Sequence, residues 1–201
     1  MVLLAIAALI LGITYGAVGW HTFLIDLIVE HKEVILSLLM FSVGISIGIQ
    51  KGILKKIREY HVKVLLIPLG IIIGSLVGGW ICSFFMEYPP NVCMAAASGL
   101  GWYSLSSITV STLAGAKMGS ITFLSNLMRE IFSFFSIPFI SRHFNYYSCI
   151  APAGATSEDT TLPMMMKYTD EETVVLSVLN GVICSIAVPI LIPFCYHLNI
   201  G

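Results

Sequence analysis

Charge is scarce in this sequence. Lys, Arg, Asp and Glu make up 10% of its 201 residues, against the ~25% usual in a soluble domain. Hydrophobic residues make up 57%, and the mean hydropathy is +0.94. So little charge cannot cover a water-facing surface, which excludes an ordinary soluble domain and indicates an integral membrane protein. A net charge of −1 argues against nucleic acid as a partner. The five cysteines, Cys82, Cys93, Cys149, Cys184 and Cys195, are odd in number and match no metal or redox spacing, so neither a metal centre nor a cofactor is expected. They read as small hydrophobes; only Cys82 and Cys93, flanking one turn, are placed to meet. The N-terminus lacks the basic n-region and the A-x-A site of a cleaved leader, and reads as an uncleaved first span.

What is present is a series of apolar runs long enough for a ~30 Å hydrocarbon core. They lie at 2–20, 34–50, 62–86, 118–140 and 173–198. Residues 21–33 form a short mixed stretch with an interfacial face at Phe23, Leu24, Leu27 and Ile28. Glycines recur every fourth residue at Gly12 and Gly16, at Gly44 and Gly48, and at Gly70, Gly74 and Gly78. Such spacing suits close helix packing. Lys51, Lys55, Lys56, Arg58 and Lys63 supply half of the ten Lys and Arg residues, which places the 51–63 loop in the cytoplasm. No linker interrupts the chain, so residues 1–201 are expected to form one transmembrane domain.

The run 118–140 carries Arg129 and Glu130 near its middle. At helical spacing Thr122, Ser125, Asn126, Arg129, Glu130, Ser133 and Ser136 form one polar stripe. Such residues usually face a protein interior or a water-filled cavity. The bland alternative is a structural ion pair, or hydrogen bonds, gluing helices together. Two other segments, 91–114 and 148–166, are rich in Ser, Thr, Gly and Pro, and the second holds Glu158 and Asp159. Neither suits a lipid-facing helix; both suit broken or re-entrant segments whose freed backbone groups face a cavity. Gly101, Ser104 and Ser107 recur as Gly154, Ser157 and Thr160 at an offset of 53. The same offset lays 62–86 roughly onto 118–140, the pattern of an inverted repeat. The expected fold is therefore all-α: a polytopic membrane helical bundle of about five full spans plus two broken or re-entrant segments, arranged as an inverted repeat.

These parts suit a binding path better than a reaction centre. Backbone N–H groups at a broken helix hold a carboxylate, and Glu130, Glu158 and Asp159 hold an ammonium or exchange a proton. An intramembrane serine protease would need a His in mid-membrane, and an aspartyl protease would need a second membrane aspartate; neither is present. An enzyme is not expected. A structural or substrate-binding subunit of a membrane complex, without independent transport, is the other reading.

SGLGWYSLSS at 98–107, NLMRE at 126–130 and GATSEDTTLP at 154–163 stand in order, with the NGVICSIAVPILIP run following in α-helical sequence at 180–193. Together they resemble the LysO lysine-exporter family of bacterial inner-membrane proteins, over about residues 35–200. The resemblance implies export of L-lysine and its toxic analogues from the cytoplasm, with other basic amino acids as alternatives. It implies an essential membrane acid at Glu130. Arg129, Asp159, Ser157, Trp102, Tyr103 and Ser104 fall on other motif positions. Two departures stand out. Full-length members carry a further N-terminal portion with its own membrane acid, and the family has an Asp where this chain has Asn126. The expectation is a split system with a separately encoded small membrane subunit, or a homo-oligomer. The candidate substrate and ion site thus comprises Glu130, Arg129, Asn126, Asp159, Ser157, Glu158, Trp102, Tyr103, Ser104, Gly101 and Gly154.

The charge bias makes a direct prediction. A reporter fused near Lys56 is expected to be active only in a cytoplasmic format; periplasmic activity would reverse the orientation of every segment.

Overall fold

The computed structural model describes residues 62–198 continuously and scattered residues between 11 and 45. Most of the spans expected at 2–20 and 34–50, and most of the 51–63 loop, lie outside the described residues. The chain divides into two compact units, Met1–Ser46 and Ile47–Gly201. In the first, described residues at 11–12 and 14–18 are helical, and the Thr14 hydroxyl donates to Leu11 O at 2.9 Å.

In the second unit all regular structure among the described residues is helical. Helix α1 (Val62–Cys82) runs through Pro68 and ends four residues before the expected limit of its span. Helix α2 (Pro90–Ala97) starts on the two prolines that close the preceding loop; Pro90 at the first helical position has no N–H to leave unsatisfied. The chain breaks at 98–102 and resumes as α3 (Tyr103–Ala114). A single residue, Gly115 at φ +89°, turns the chain into α4 (Ala116–His143). A 3₁₀ turn (Tyr146–Cys149) leads to the one-turn α5 (Ile150–Ala153), a second 3₁₀ stretch (Gly154–Glu158) and α6 (Leu162–Tyr168). Helix α7 (Glu171–His197) begins with Asp170 accepting from the Thr173 amide at 2.9 Å and continues through Pro189 and Pro193. Both expected polar segments, 91–114 and 148–166, are thus helices interrupted at their Gly- and Ser-rich centres.

By length and apolar composition, two described helices could cross a membrane: Leu65–Cys82 and Glu171–His197. Helix α4 is longer, but its polar stripe lowers its apolar character. At ~1.5 Å per residue its 28 residues measure about 42 Å. Its two faces reverse the soluble pattern. Thr122, Asn126, Glu130 and Ser133 are buried, while Phe132, Phe135 and Phe139 are 67%, 73% and 57% exposed. A helix with aromatics outward and polar groups inward matches an apolar surrounding.

The ends of each interrupted segment lie together. Lys117 Nζ, beside the start of α4, sits 5.7 Å from the ring of Tyr88, just ahead of α2. Tyr147 OH donates to Glu172 Oε1 at 2.9 Å, joining the approach to α5 with the start of α7. Asn91 Nδ2 donates to Tyr196 O at 2.7 Å, so the end of α7 stands beside the start of α2. Helix α3 packs along α4, α1 along α2, and α7 against the 154–158 stretch and α2.

The two breaks touch. Ala155 N donates to Leu100 O at 2.9 Å. Leu100, Gly101 and Gly154 take φ of +50°, +99° and +60°, a region that costs L-residues other than Gly and Asn. A Cβ on Gly154 would run into Leu100 O and come within 3.0 Å of Arg129 Nη2; one on Gly101 would lie 3.3 Å from Ala153 O. The five cysteines, including Cys82 and Cys93, are free thiols. The α1 glycines expected to form a close packing face meet the described residues at one point. Among the described residues a Cβ on Gly70, Gly74 or Gly78 would meet nothing within 4 Å, whereas one on Gly79 would meet Ala97 Cβ at 2.8 Å. The close helix contact is made at Gly79.

Gly154→Ala combines a strained φ with a backbone collision. It is expected to cost about 1–3 kcal/mol, read as a lower melting midpoint in detergent and lower membrane accumulation. Gly74→Ala, into open space, should leave both unchanged.

Candidate functional site

Residues 129 and 130 stand at the middle of α4, so in a membrane they lie near the midplane. Successive helix residues point about 100° apart, and the two charged side chains part company. Among the described residues they form no ion pair with each other; the hydrogen-bond form of the helix-gluing alternative does describe Arg129 and Asn126, which join α4 to its neighbours.

Arg129 reaches into the second break. Its Nε donates to Pro152 O at 3.1 Å, its Nη2 to Ala151 O at 3.1 Å and its Nη1 to Ser75 Oγ at 2.9 Å. Ala151 and Pro152 lie in one-turn α5, whose last carbonyls have no partner within the helix. A guanidinium there both satisfies them and complements the negative end of the helix. Its stem passes 3.9 Å from where a Gly101 Cβ would be. One side chain therefore touches α1, α5 and both breaks.

Glu130 is fully buried, and neither carboxylate oxygen has a hydrogen-bond partner among the described residues. Among the groups near enough to bear on it are Asp159 and Tyr103, which act electrostatically, and Thr160, whose side chain stands as a donor just outside hydrogen-bond geometry. Asp159 is exposed, and Tyr103 and Thr160 are half-buried. Glu130 is thus the enclosed end of a polar cluster whose other members reach the surface. Asp159 Oδ1 accepts from the Thr160 hydroxyl at 3.2 Å, and Tyr103 stacks edge-on to Phe123.

The remaining predicted residues hold this arrangement in place. Asn126, one turn before Glu130, accepts from Gly101 N at 2.8 Å and donates to Ala96 O and Thr122 O at 3.0 Å each. One amide thereby caps α2 and ties down the first break. Its orientation is fixed, because only the amide nitrogen can serve two carbonyls. An ionised Asp there would have no proton to donate. Ser157 is buried, donates to Gly154 O and Ser177 O and receives Ser177 Oγ on its carbonyl. Glu158 leans on α7, where Gly181 leaves room for it and the Ser185 hydroxyl donates to Oε1 at 2.9 Å. Trp102 and Ser104 are half-buried; their carbonyls accept from Ser106 and Ser107 within α3. The cluster therefore brings Glu130, Tyr103 and Asp159 together, while Asn126, Ser157, Glu158, Trp102 and Ser104 stand around it in the framework.

Sequence reasoning passed over Asn180 and Ser75. Asn180 Nδ2 donates to Gly154 O at 2.9 Å and to Ser157 Oγ at 3.0 Å, doing for the second break what Asn126 does for the first. The two asparagines are 54 residues apart, within one residue of the offset relating the breaks, and that near-coincidence was the available signal. Ser75 is the lone hydroxyl in α1, which was likewise a signal.

Asn126→Ala and Asn180→Ala each leave buried backbone groups without partners. Each is expected to lower stability by about 1–3 kcal/mol, measured by thermal unfolding in detergent. Ser125→Ala, exposed on the same helix, is expected to change it by less than about 0.5 kcal/mol.

Comparison with known proteins accords with this geometry. The family model described as "Lysine exporter LysO" matches residues 6–196. "Lysine exporter LysO" of Escherichia coli is 36% identical over 165 residues, covering 82% of this chain and 54% of that protein. "Putative lysine exporter" of Haemophilus influenzae is 36% identical over 166 residues, covering 80% of this chain and 81% of that protein. The chain thus spans about half the length of the first relative and most of the second. No solved structure matches it. With nearly its whole length matched, and with the 98–107, 126–130 and 154–163 motifs meeting around one buried acid, the chain belongs to the lysine exporter LysO family.

Proposed function

We propose that this chain exports L-lysine, or another cationic amino acid, from the cytoplasm across the inner membrane as a multi-pass carrier coupled to an ion gradient. The observation that carries this reading is the carboxylate of Glu130. It is buried at the middle of α4 and has no hydrogen-bond partner among the described residues. An unpaired charge there costs about 3 kcal/mol on insertion scales. A cation or a proton that arrives and leaves removes that cost in alternation, as an ion-coupled carrier needs. The names borne by the relatives support lysine.

In this reading Glu130 takes the proton or the ammonium, Asp159 and Tyr103 form the approach, and Arg129 attracts the carboxylate of the amino acid, since the N–H groups around Gly101 and Gly154 are engaged within the protein. Residues 91–114 and 148–166 are re-entrant rather than crossing. The meeting of Tyr88 with Lys117, and of Tyr147 with Glu172, supports this, since the two ends of a re-entrant segment share one membrane face. The paired breaks with their paired asparagines support an inverted repeat. Transport chemistry alone is proposed, with no catalysis and no cofactor.

Glu130→Gln keeps the shape and removes the charge. Lysine efflux from cells is expected to fall by about tenfold or more, the equivalent of ~1.4 kcal/mol, while the protein accumulates normally. Undiminished efflux from a well-accumulated Glu130→Gln protein would remove the transport role from this residue.

A further inference from the structure

Two cavities flank Arg129, and both are bounded by the same two side chains. The first, about 550 Å³, runs along the first half of α1 from Leu66 to Ser75, and is closed by Arg129, Tyr147 and Ala151. The second, about 280 Å³, runs along the second half of α1 from Ser75 past Cys82, and is closed by Ala97, Asn126 and Arg129. Ser75 and Arg129 line both, and the 2.9 Å bond from Arg129 Nη1 to Ser75 Oγ lies where they adjoin. Measured along α1, the first cavity extends about 14 Å to one side of Ser75 and the second about 10 Å to the other. The glycines at 70, 74 and 78 belong to these walls, which accounts for the open space beside them.

The guanidinium has capacity left. Arginine carries five N–H donors; one on each nitrogen is engaged with Pro152, Ala151 or Ser75. Among the described residues two N–H groups remain without a partner, on a side chain bordering both cavities. A carboxylate is the group a guanidinium fork matches best. The larger cavity is within the ~300–1,000 Å³ usual for small-molecule sites, and Asn145, Tyr147 and Ser148 add polar groups to its far end.

We propose that the two cavities are the opposite-facing halves of one path for an α-amino acid, that the Arg129–Ser75 hydrogen bond is the partition between them, and that the two unspent N–H groups of Arg129 hold the substrate carboxylate as it passes. This deepens the carrier reading and rests on it for the substrate class. Glu130, turned about 100° away from the arginine, lines neither cavity, so Arg129 is the charged group that the described walls of the path present.

The test uses the full chain in membranes with Cys93, Cys149, Cys184 and Cys195 replaced. Native Cys82 reports the second cavity, and Gly70→Cys with Cys82→Ala reports the first. A membrane-impermeant thiol reagent is expected to reach Cys82 from the periplasmic face and position 70 from the cytoplasmic face. Ser75→Ala, which removes the acceptor, should raise reaction from the opposite face several-fold at normal accumulation. L-Lysine should slow labelling at both positions, and cadaverine, which lacks the carboxylate, should not. Labelling of both positions from one face, or labelling unaffected by Ser75→Ala, overturns the partition. Equal protection by cadaverine overturns the role of the guanidinium. Lysine efflux measured on the same cells separates this proposal from the carrier reading: efflux without sidedness removes the partition alone, and sidedness without efflux removes lysine as the cargo.

Discussion

The contact between the two helix breaks governs the rest of the second unit. A chain that interrupts its helices inside an apolar medium leaves N–H and C=O groups exposed where water cannot reach them, at several kcal/mol each. Here each break lends its groups to the other or to one asparagine. The Ala155 amide finds Leu100 O, Asn126 takes the first break and Asn180 the second. Because Gly101 and Gly154 have no side chain, the two backbones approach closely enough for that bond to form. Helices α3, α4 and α7 then stand where they do because they frame this crossing point.

The framework is well satisfied around a centre that is not. Asn126, Ser157, Thr161, Ser177 and Asn180 are buried with their side chains bonded to backbone or to each other. Glu130, in the same interior, has two oxygens without partners among the described residues. A carboxylate left over by a network that supplies its neighbours costs stability, and nothing in the packing returns it. That local imbalance is what separates Glu130 from the polar residues that only brace the fold.

Much of the architecture was readable because in a membrane the apolar run is itself the structural signal. The runs 118–140 and 173–198 correspond to α4 and α7 with ends shifted by a few residues, and 62–86 corresponds to α1 plus the turn after it. The breaks were readable as clusters of Gly, Ser and Pro. Direction was harder. The stripe on α4 divides between two surroundings. Asn126 and Glu130 enter the interior while Ser125 and Arg129 face the cavities, and only the positions of α1, α2 and α5 decide which side is which. For the same reason the α1 glycines read as one contact face, of which Gly79 meets a neighbour among the described residues. Spacing reports that a surface is smooth, and the neighbour's position decides whether a helix or a void lies against it.

The length of α4 sets what can move. Its ~42 Å matches a bilayer with its headgroup layers, and it carries Lys117 near one end and Arg142 and His143 at the other. Sliding it along its axis would drag a cation into hydrocarbon at either end, so the helix is pinned at both surfaces like a post between two floors. Helix α1 has no charged residue from Val64 to Met86 and, at its middle, meets that post through the Ser75 hydroxyl. It is held in the same way, with Lys63 in its first turn and Glu87 just past its end. Where the charges stop thus sets both helices to one height, and they meet near mid-length through the single hydroxyl of α1.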